Sequence, residues 1–64
     1  MSTQLESRHF LKAGDAVQHL RGHAGTVVEA FALYAVVRWE DGRQEEVDQL
    51  DPSVFVTERA VERP

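Results

Sequence analysis

Carboxylates are the most concentrated chemical groups in this sequence, and most of them fall in one segment. Between residues 40 and 51 there are six acidic residues and a single basic one, Arg43. The rest of the chain holds five acidic and six basic residues, so the net charge of −4 comes from this segment. Charged side chains are rarely buried without a partner, and the segment therefore predicts an acidic surface. Its members are Glu40, Asp41, Glu45, Glu46, Asp48 and Asp51.

The acidic surface has two interpretations, and the sequence leaves both open. It can be a solvated face that keeps a small domain soluble and protects an edge strand from pairing. It can instead be a docking face, where carboxylates accelerate association with a basic partner and restrict partner choice. A DNA-binding regulator is one kind of basic protein that would suit it. The predicted docking residues are Glu40, Asp41, Glu45, Glu46 and Asp48 for charge, with Tyr34 and Arg38 as exposed contacts beside them.

Histidines are the other candidate metal ligands, because the chain has no cysteine. There are three of them: His9, His19 and His23. His19 and His23 are four residues apart, a spacing that suits a helix, yet they flank a glycine loop at a predicted strand end. Metal sites usually take three or four protein ligands. We therefore predict that the chain binds neither a metal ion nor another cofactor.

The sequence contains no catalytic motif. It has no thiol nucleophile and no Ser-His-Asp arrangement with the geometry of a nucleophile elbow. The segment from Gly22 to Gly25 is too short for a phosphate-binding loop, and no helix is predicted after it. A chain of 64 residues seldom forms the concave pocket that catalysis requires. These features predict a protein that is not an enzyme.

Length and hydropathy predict one small cytoplasmic domain. Sixty-four residues suffice for a single domain, and a domain of this size buries only about 60% of the surface that its unfolded chain exposes. The first residues do not combine a basic segment with a following apolar run, so no signal peptide is predicted. The longest apolar run, residues 30–37, is far shorter than the ~20 residues of a membrane-spanning helix.

The spacing of β-branched and turn residues predicts five strands. Asp41-Gly42 lies between two extended segments and predicts a two-residue type I′ hairpin, in which both residues have positive φ. In the third strand, Ala35, Val37 and Trp39 are predicted to face the core. The predicted strands are residues 16–20, 26–31, 33–40, 43–47 and 54–57.

Two connections and both ends of the chain complete the prediction. Residues 29–35 contain no Gly, Pro or Asn, so a connection between strands and a helical turn both stay open, with strands favoured. Asp51 and Pro52 predict a short helical turn before the last strand. The predicted boundaries are a flexible N-terminal arm at 1–12, a folded domain at 13–57 and a flexible C-terminal tail at 58–64.

Turn glycines and core valines follow one another in a recurrent order. The segments are Gly14-Asp15-x-Val17, Gly22-x-x-Gly25-Thr26-Val27, Ala35-Val36-Val37-Arg38-Trp39-Glu40-Asp41-Gly42, Glu46-Val47 and Leu50. Over about residues 13–57 this order resembles the SH3-like barrels of the Tudor, KOW and Mind-bomb-repeat kinds. The resemblance implies an all-β fold, a small five-stranded antiparallel barrel with a short helical turn before the last strand. Its predicted core is Val17, Val27, Val37, Trp39 and Val47.

The resemblance also implies binding of peptides, modified peptides, RNA or proteins on the strands and loops. KOW modules usually present basic residues to RNA, whereas this chain is acidic. Tudor domains gather several aromatic residues into a cage, but Trp39 and Phe55 are expected in the core here. We therefore predict a non-catalytic protein-interaction module, an accessory or regulatory protein that docks a basic partner through an acidic hairpin face.

Two alternatives to this function stay open. One is a weak nucleic-acid-binding module of the Tudor or KOW kind, in which Lys12, Arg21 and Arg38 would lie beside Tyr34. The other is a small oligomeric barrel with a structural role, including a homodimer formed through edge strands. No membrane partner is predicted.

Overall fold

Five strands form a single antiparallel sheet in the computed structural model, which describes residues 10–60. The strands are β1 (Ala16–His19), β2 (Ala24–Ala30), β3 (Tyr34–Trp39), β4 (Gln44–Asp48) and β5 (Val54–Glu58). Their order in the sheet is β4-β3-β2-β1-β5, so β4 and β5 are the two edges. The prediction of an all-β fold is confirmed, and every predicted strand is present with ends that differ by at most two residues.

One face of the sheet carries the hydrophobic core. Along β3, alternation of side chains buries Ala35, Val37 and Trp39, as predicted. Along β5 the same alternation buries Val54 and leaves Phe55 44% exposed, so the prediction of a core position for Phe55 is wrong. Within residues 10–60 the buried cluster includes all five predicted core residues; its members are Leu11, Val17, Val27, Ala35, Val37, Trp39, Val47 and Val54.

Two irregularities in the pairing bend the sheet. The register of β2 against β3 shifts between Val27 and Glu29, and that of β1 against β5 shifts between Ala16 and Val17. An extra residue in one strand of a pair bends that strand and increases its local twist. In β2 the extra residue is Val28, and it changes the face on which Glu29 lies.

The connection between β2 and β3 is a tight turn. β2 continues to Ala30, β3 begins at Tyr34, and the Phe31 N–H donates to the Tyr34 carbonyl at 2.8 Å. The choice left open for residues 29–35 is therefore decided in favour of strands.

The hairpin between β3 and β4 differs from the predicted type I′ turn. No non-glycine residue among residues 10–60 has a positive φ, so Asp41 does not, whereas Gly42 has φ of 94°. The Gly42 N–H donates to the Trp39 carbonyl and the Trp39 N–H to the Arg43 carbonyl, both at 2.8 Å. This is a three-residue hairpin with glycine in the left-handed position. Asp41 stabilises it, because its Oδ1 accepts the Arg43 N–H at 3.0 Å.

The predicted barrel is not confirmed, because the edges β4 and β5 do not pair with each other and the sheet is open. Between them, the Asp51 N–H donates to the Asp48 carbonyl at 3.1 Å and the Val54 N–H to the Asp51 carbonyl at 3.3 Å. These bonds close two successive turns, and the predicted helical turn is not confirmed. In the described part of the chain, no helix has the length and apolar character needed to cross a membrane.

Asp15 joins the two ends of the described chain. Its carboxylate is 1% exposed and accepts hydrogen bonds from the Lys12 N–H at 3.0 Å, Arg59 Nη1 at 2.8 Å and the Ala60 N–H at 2.8 Å. Leu11 is buried nearby in sequence, so parts of the predicted arm and tail contact the sheet. The rest of those two segments, residues 1–9 and 61–64, lies outside the described residues.

Candidate docking surface

The candidate docking surface is the face of β2, β3 and β4 that points away from the core. Val36 lies at its centre, since it pairs with Glu29 on β2 and with Glu46 on β4. Side chains of paired residues on one face of a sheet lie about 5 Å apart, so two glutamates flank this valine. We call the paired residues on this side of β2, β3 and β4 the outward face: Thr26, Glu29, Tyr34, Val36, Arg38, Gln44, Glu46 and Asp48.

The structure divides the seven predicted site residues among three places. Glu45 lies on the opposite side of the sheet, where its Oε1 accepts the Trp39 Nε1–H at 2.7 Å. Glu40 and Asp41 belong to the turn at the tip of the β3–β4 hairpin. The remaining four lie on the outward face: Tyr34, Arg38, Glu46 and Asp48.

The carboxylates at the hairpin tip already have partners within the chain. Glu40 Oε2 accepts the Ala24 N–H at 3.3 Å, across to β2. Asp41 Oδ2 lies 3.0 Å from Arg43 Nε in an exposed ion pair. The hydrogen bond from the Arg43 backbone N–H, assisted by the charge of its guanidinium, holds the pKa of Asp41 below its usual value. The carboxylates of Glu40 and Asp41 therefore stabilise the turn through bonds within the chain.

Three carboxylates on the outward face have no such partner among the residues that the structure describes. Within residues 10–60, those of Glu29, Glu46 and Asp48 make no hydrogen bond or ion pair with another side chain or with the backbone. Among the described residues, the one cation on this face is Arg38, which donates to Gln44 Oε1 at 3.1 Å. The outward face therefore has an excess of negative charge that the described chain does not neutralise.

Glu29 is a member of this surface that the sequence analysis missed. Simple alternation from the buried Val27 would direct Glu29 toward the core side. The extra residue Val28 reverses this, so Glu29 pairs with Val36 and joins the outward face. Glu29 follows Val27-Val28 and precedes Ala30, and none of these neighbours is a glycine or another residue that signals a bulge. The charge of Glu29 was the only indication against burial.

Exposed apolar groups lie beside the unneutralised carboxylates. The ring of Tyr34, which pairs across from Asp48, stacks on Phe31 with centroids 4.8 Å apart. A groove of about 340 Å³ continues past Asp48, and Phe10, Leu33 and Leu50 form much of its lining. All three of these groove residues are more than half exposed. The region thus offers apolar contacts next to negative charge.

The two described histidines pack on the core tryptophan. His19 and His23 stack with ring centroids 4.7 Å apart, and each meets Trp39 edge to face. His19 Nδ1 accepts the Arg21 N–H at 3.0 Å. Among the residues that the structure describes, no three His, Asp or Glu side chains are grouped as metal ligands. His9, the third predicted candidate, lies outside the described residues.

The cations considered for nucleic-acid binding are dispersed. Lys12 precedes β1 and Arg21 follows it, so the two lie at opposite ends of that strand. Arg38 shares the outward face with Tyr34, but four residues of extended chain separate them by about 13 Å. The fold does not gather these groups into one basic patch.

Comparison with known proteins gives no further guide to this surface. No family model, no curated protein and no solved structure matches the chain.

Proposed function

We propose that this chain is a non-catalytic interaction module with an SH3-like fold, which docks a basic protein on its outward face. The strand order, with β5 beside β1, supports the SH3-like part of the proposal. The bulges in β2 and β5 support it as well, because bulges give a small sheet the curvature of a barrel.

The placement of Val36 between Glu29 and Glu46 carries the proposal. A partially buried valine gives a docking surface an apolar centre, and the glutamates beside it give that centre a negative rim. Interfaces commonly have this arrangement of an apolar core within a polar rim. Carboxylates needed only to hold the hairpin together would be bonded within the chain, as those of Glu40 and Asp41 are.

The charge pattern specifies the sign of the charge on the partner surface more firmly than it specifies the binding affinity. Glu29, Glu46 and Asp48 outnumber Arg38 on this face, and a partner surface rich in Lys or Arg meets them with complementary charge. Charges at an exposed rim act mainly on the association rate, and salt screens them. We therefore expect fast, salt-sensitive binding.

Titration with octalysine tests the proposal, with octaglutamate as the opposite-charge probe. The wild-type chain should bind octalysine at about 0.05 M salt and lose most of that binding at about 0.5 M. Glu46→Lys should weaken binding about tenfold. Glu58→Lys is the matched control, since it makes the same change of charge on β5, which lies at the opposite edge of the sheet from β4. Equal losses in the two variants would reduce the effect to net charge and contradict a docking site.

A further inference from the structure

One side of β4 pairs with β3, and its other side is an open edge of the sheet. Along β4, residues whose backbone groups bond to β3 alternate with residues whose backbone groups point to the open edge. At the two ends of the β3–β4 ladder, the Trp39 N–H donates to the Arg43 carbonyl and the Gln49 N–H donates to the Leu33 carbonyl. Both bonds involve odd-numbered residues of the β4 side. Because bonded and non-bonded positions alternate in an antiparallel pair, the backbone N–H and C=O groups of the even-numbered residues point away from β3. These residues are Gln44, Glu46 and Asp48.

Within residues 10–60 this row of groups is nearly without partners. The Asp48 carbonyl accepts the Asp51 N–H at 3.1 Å, and no other hydrogen bond outside the ladders reaches the backbone of Gln44, Glu46 or Asp48. No other strand in the described part of the chain covers β4, because β5 lies at the far edge of the sheet. A strand edge of this kind is a template for another extended chain.

We propose that the open edge of β4 receives an extended basic segment of the partner as an added strand. This inference rests on the proposed function and names the form of the partner. Main-chain hydrogen bonds provide affinity in strand addition, and alternate side chains provide specificity. In an antiparallel guest strand, the residues opposite Glu46 and Asp48 have side chains on the outward face, where Lys or Arg meets a carboxylate. The guest residue between them lies on the side of Val47, so an apolar side chain fits there.

The charges on β4 disfavour a second copy of this chain as the occupant. In an antiparallel pair of two β4 strands, Glu45, Glu46 and Asp48 of one copy would face the same acidic sequence of the other. Like charges directly opposite each other destabilise a strand pair. The other edge, β5, contains one charged residue, Glu58, and so lacks the feature that selects a basic guest. The added strand is thus an extended basic segment of the partner, and it pairs with the open edge of β4.

Three end-blocked pentapeptides with the sequence Lys-Val-Lys-Val-Lys test the inference. One is unmodified, one is N-methylated at its lysines, and one is N-methylated at its valines. All have the same charge. With the lysines on the outward face, the lysine N–H groups point at β4 and the valine N–H groups point to solvent. Binding is followed by NMR, with the backbone amides of Gln44, Glu46 and Asp48 as reporters and those of β5 as an internal control.

The expected result is that the unmodified and valine-methylated peptides bind and shift the β4 amides, while lysine methylation weakens binding about tenfold. Equal binding of all three peptides, or shifts confined to side chains, would overturn strand addition while leaving docking by charge in place. Failure of all three peptides to bind would also overturn it, and octalysine binding would then show separately whether the outward face docks basic chains. Concentration-dependent shifts of β4 without peptide would identify a second copy as the occupant and contradict the inference.

Discussion

Glu45 and Glu46 are neighbours in the sequence but lie on opposite sides of the sheet. Glu45 accepts the Trp39 Nε1–H at 2.7 Å and so supports the core tryptophan from the edge strand. Glu46 pairs across from Val36 on the outward face and has no partner of its own in the described chain. Two residues that contribute equally to the charge of the segment therefore have different physical roles.

Substitution of these two glutamates should separate stability from binding. Glu45→Ala leaves the Trp39 N–H without its acceptor, which should cost about 1–3 kcal/mol of unfolding free energy. Glu46→Lys should change that free energy by less than about 0.5 kcal/mol and should weaken octalysine binding. Urea denaturation and peptide titration measure the two effects. Glu45→Gln, which keeps an oxygen acceptor, is the control, and a stability loss as large as that of Glu45→Ala would refute the role of the hydrogen bond.

Gly25 is required by the position of Trp39. A Cβ at residue 25 would lie 2.7 Å from Trp39 Cε3 and 2.8 Å from the Arg38 carbonyl oxygen, which is backbone and cannot swing away. Gly25→Ala should therefore destabilise the chain by about 1–3 kcal/mol and shift the tryptophan fluorescence. Thr26→Ala changes an exposed neighbour on β2 and serves as the control. Unchanged stability and fluorescence in Gly25→Ala would show that the contact is not tight in solution.

The strands and the core were predictable because they depend on patterns repeated over many residues. Ala35, Val37 and Trp39 alternate with more exposed residues, and a period of two leaves little choice of which side is buried. Glycines at the turns then divide the chain into segments of strand length. The position of the candidate surface followed from the same alternation, which is why Tyr34 and Arg38 were placed correctly on the side away from the core.

The errors arose where a single residue or side chain decides the outcome. The bulge at Val28 has no sequence signal, yet it moves Glu29 to the outward face. At the hairpin tip, Asp-Gly suits more than one turn, and the bond from the Arg43 N–H to the Asp41 side chain favours the one observed. Phe55 was predicted to lie in the core because of its hydrophobicity. In β5 it follows the buried Val54, so the alternation of side chains directs it away from the core.

The lowered pKa of Asp41 predicts a pH dependence of the β3–β4 hairpin. A carboxyl group with a lowered pKa in the folded state stabilises that state fully above its ordinary value of about 3.9. The stabilisation is lost as the pH falls through the lowered value. Carboxyl NMR titration of Asp41 should show the lowered pKa directly. Arg43→Ala should raise it only part of the way, because the largest cause is the backbone N–H of residue 43, which alanine keeps. A full return to the ordinary value would assign the shift to the guanidinium instead.

Asp15 should be the most sensitive polar residue in the described chain, because one buried carboxylate holds three donors from both ends of it. Asp15→Ala leaves the backbone N–H groups of Lys12 and Ala60 without their acceptor, whereas Arg59 Nη1 keeps the Phe10 carbonyl at 3.0 Å. A donor left without its acceptor costs about 1–3 kcal/mol, so urea denaturation should show a loss of about 2–6 kcal/mol for the two backbone N–H groups together.

Arg59→Ala provides the comparison that identifies the cause of this loss. The Arg59 side chain is 35% exposed, so water can replace it at Asp15 Oδ2, and the two backbone donors remain. We therefore expect a loss of stability well below that of Asp15→Ala, with amide exchange of Ala60 still slow in Arg59→Ala and fast in Asp15→Ala. If the two variants lose equal stability, the ion pair alone holds the ends together, and the backbone donors contribute nothing measurable.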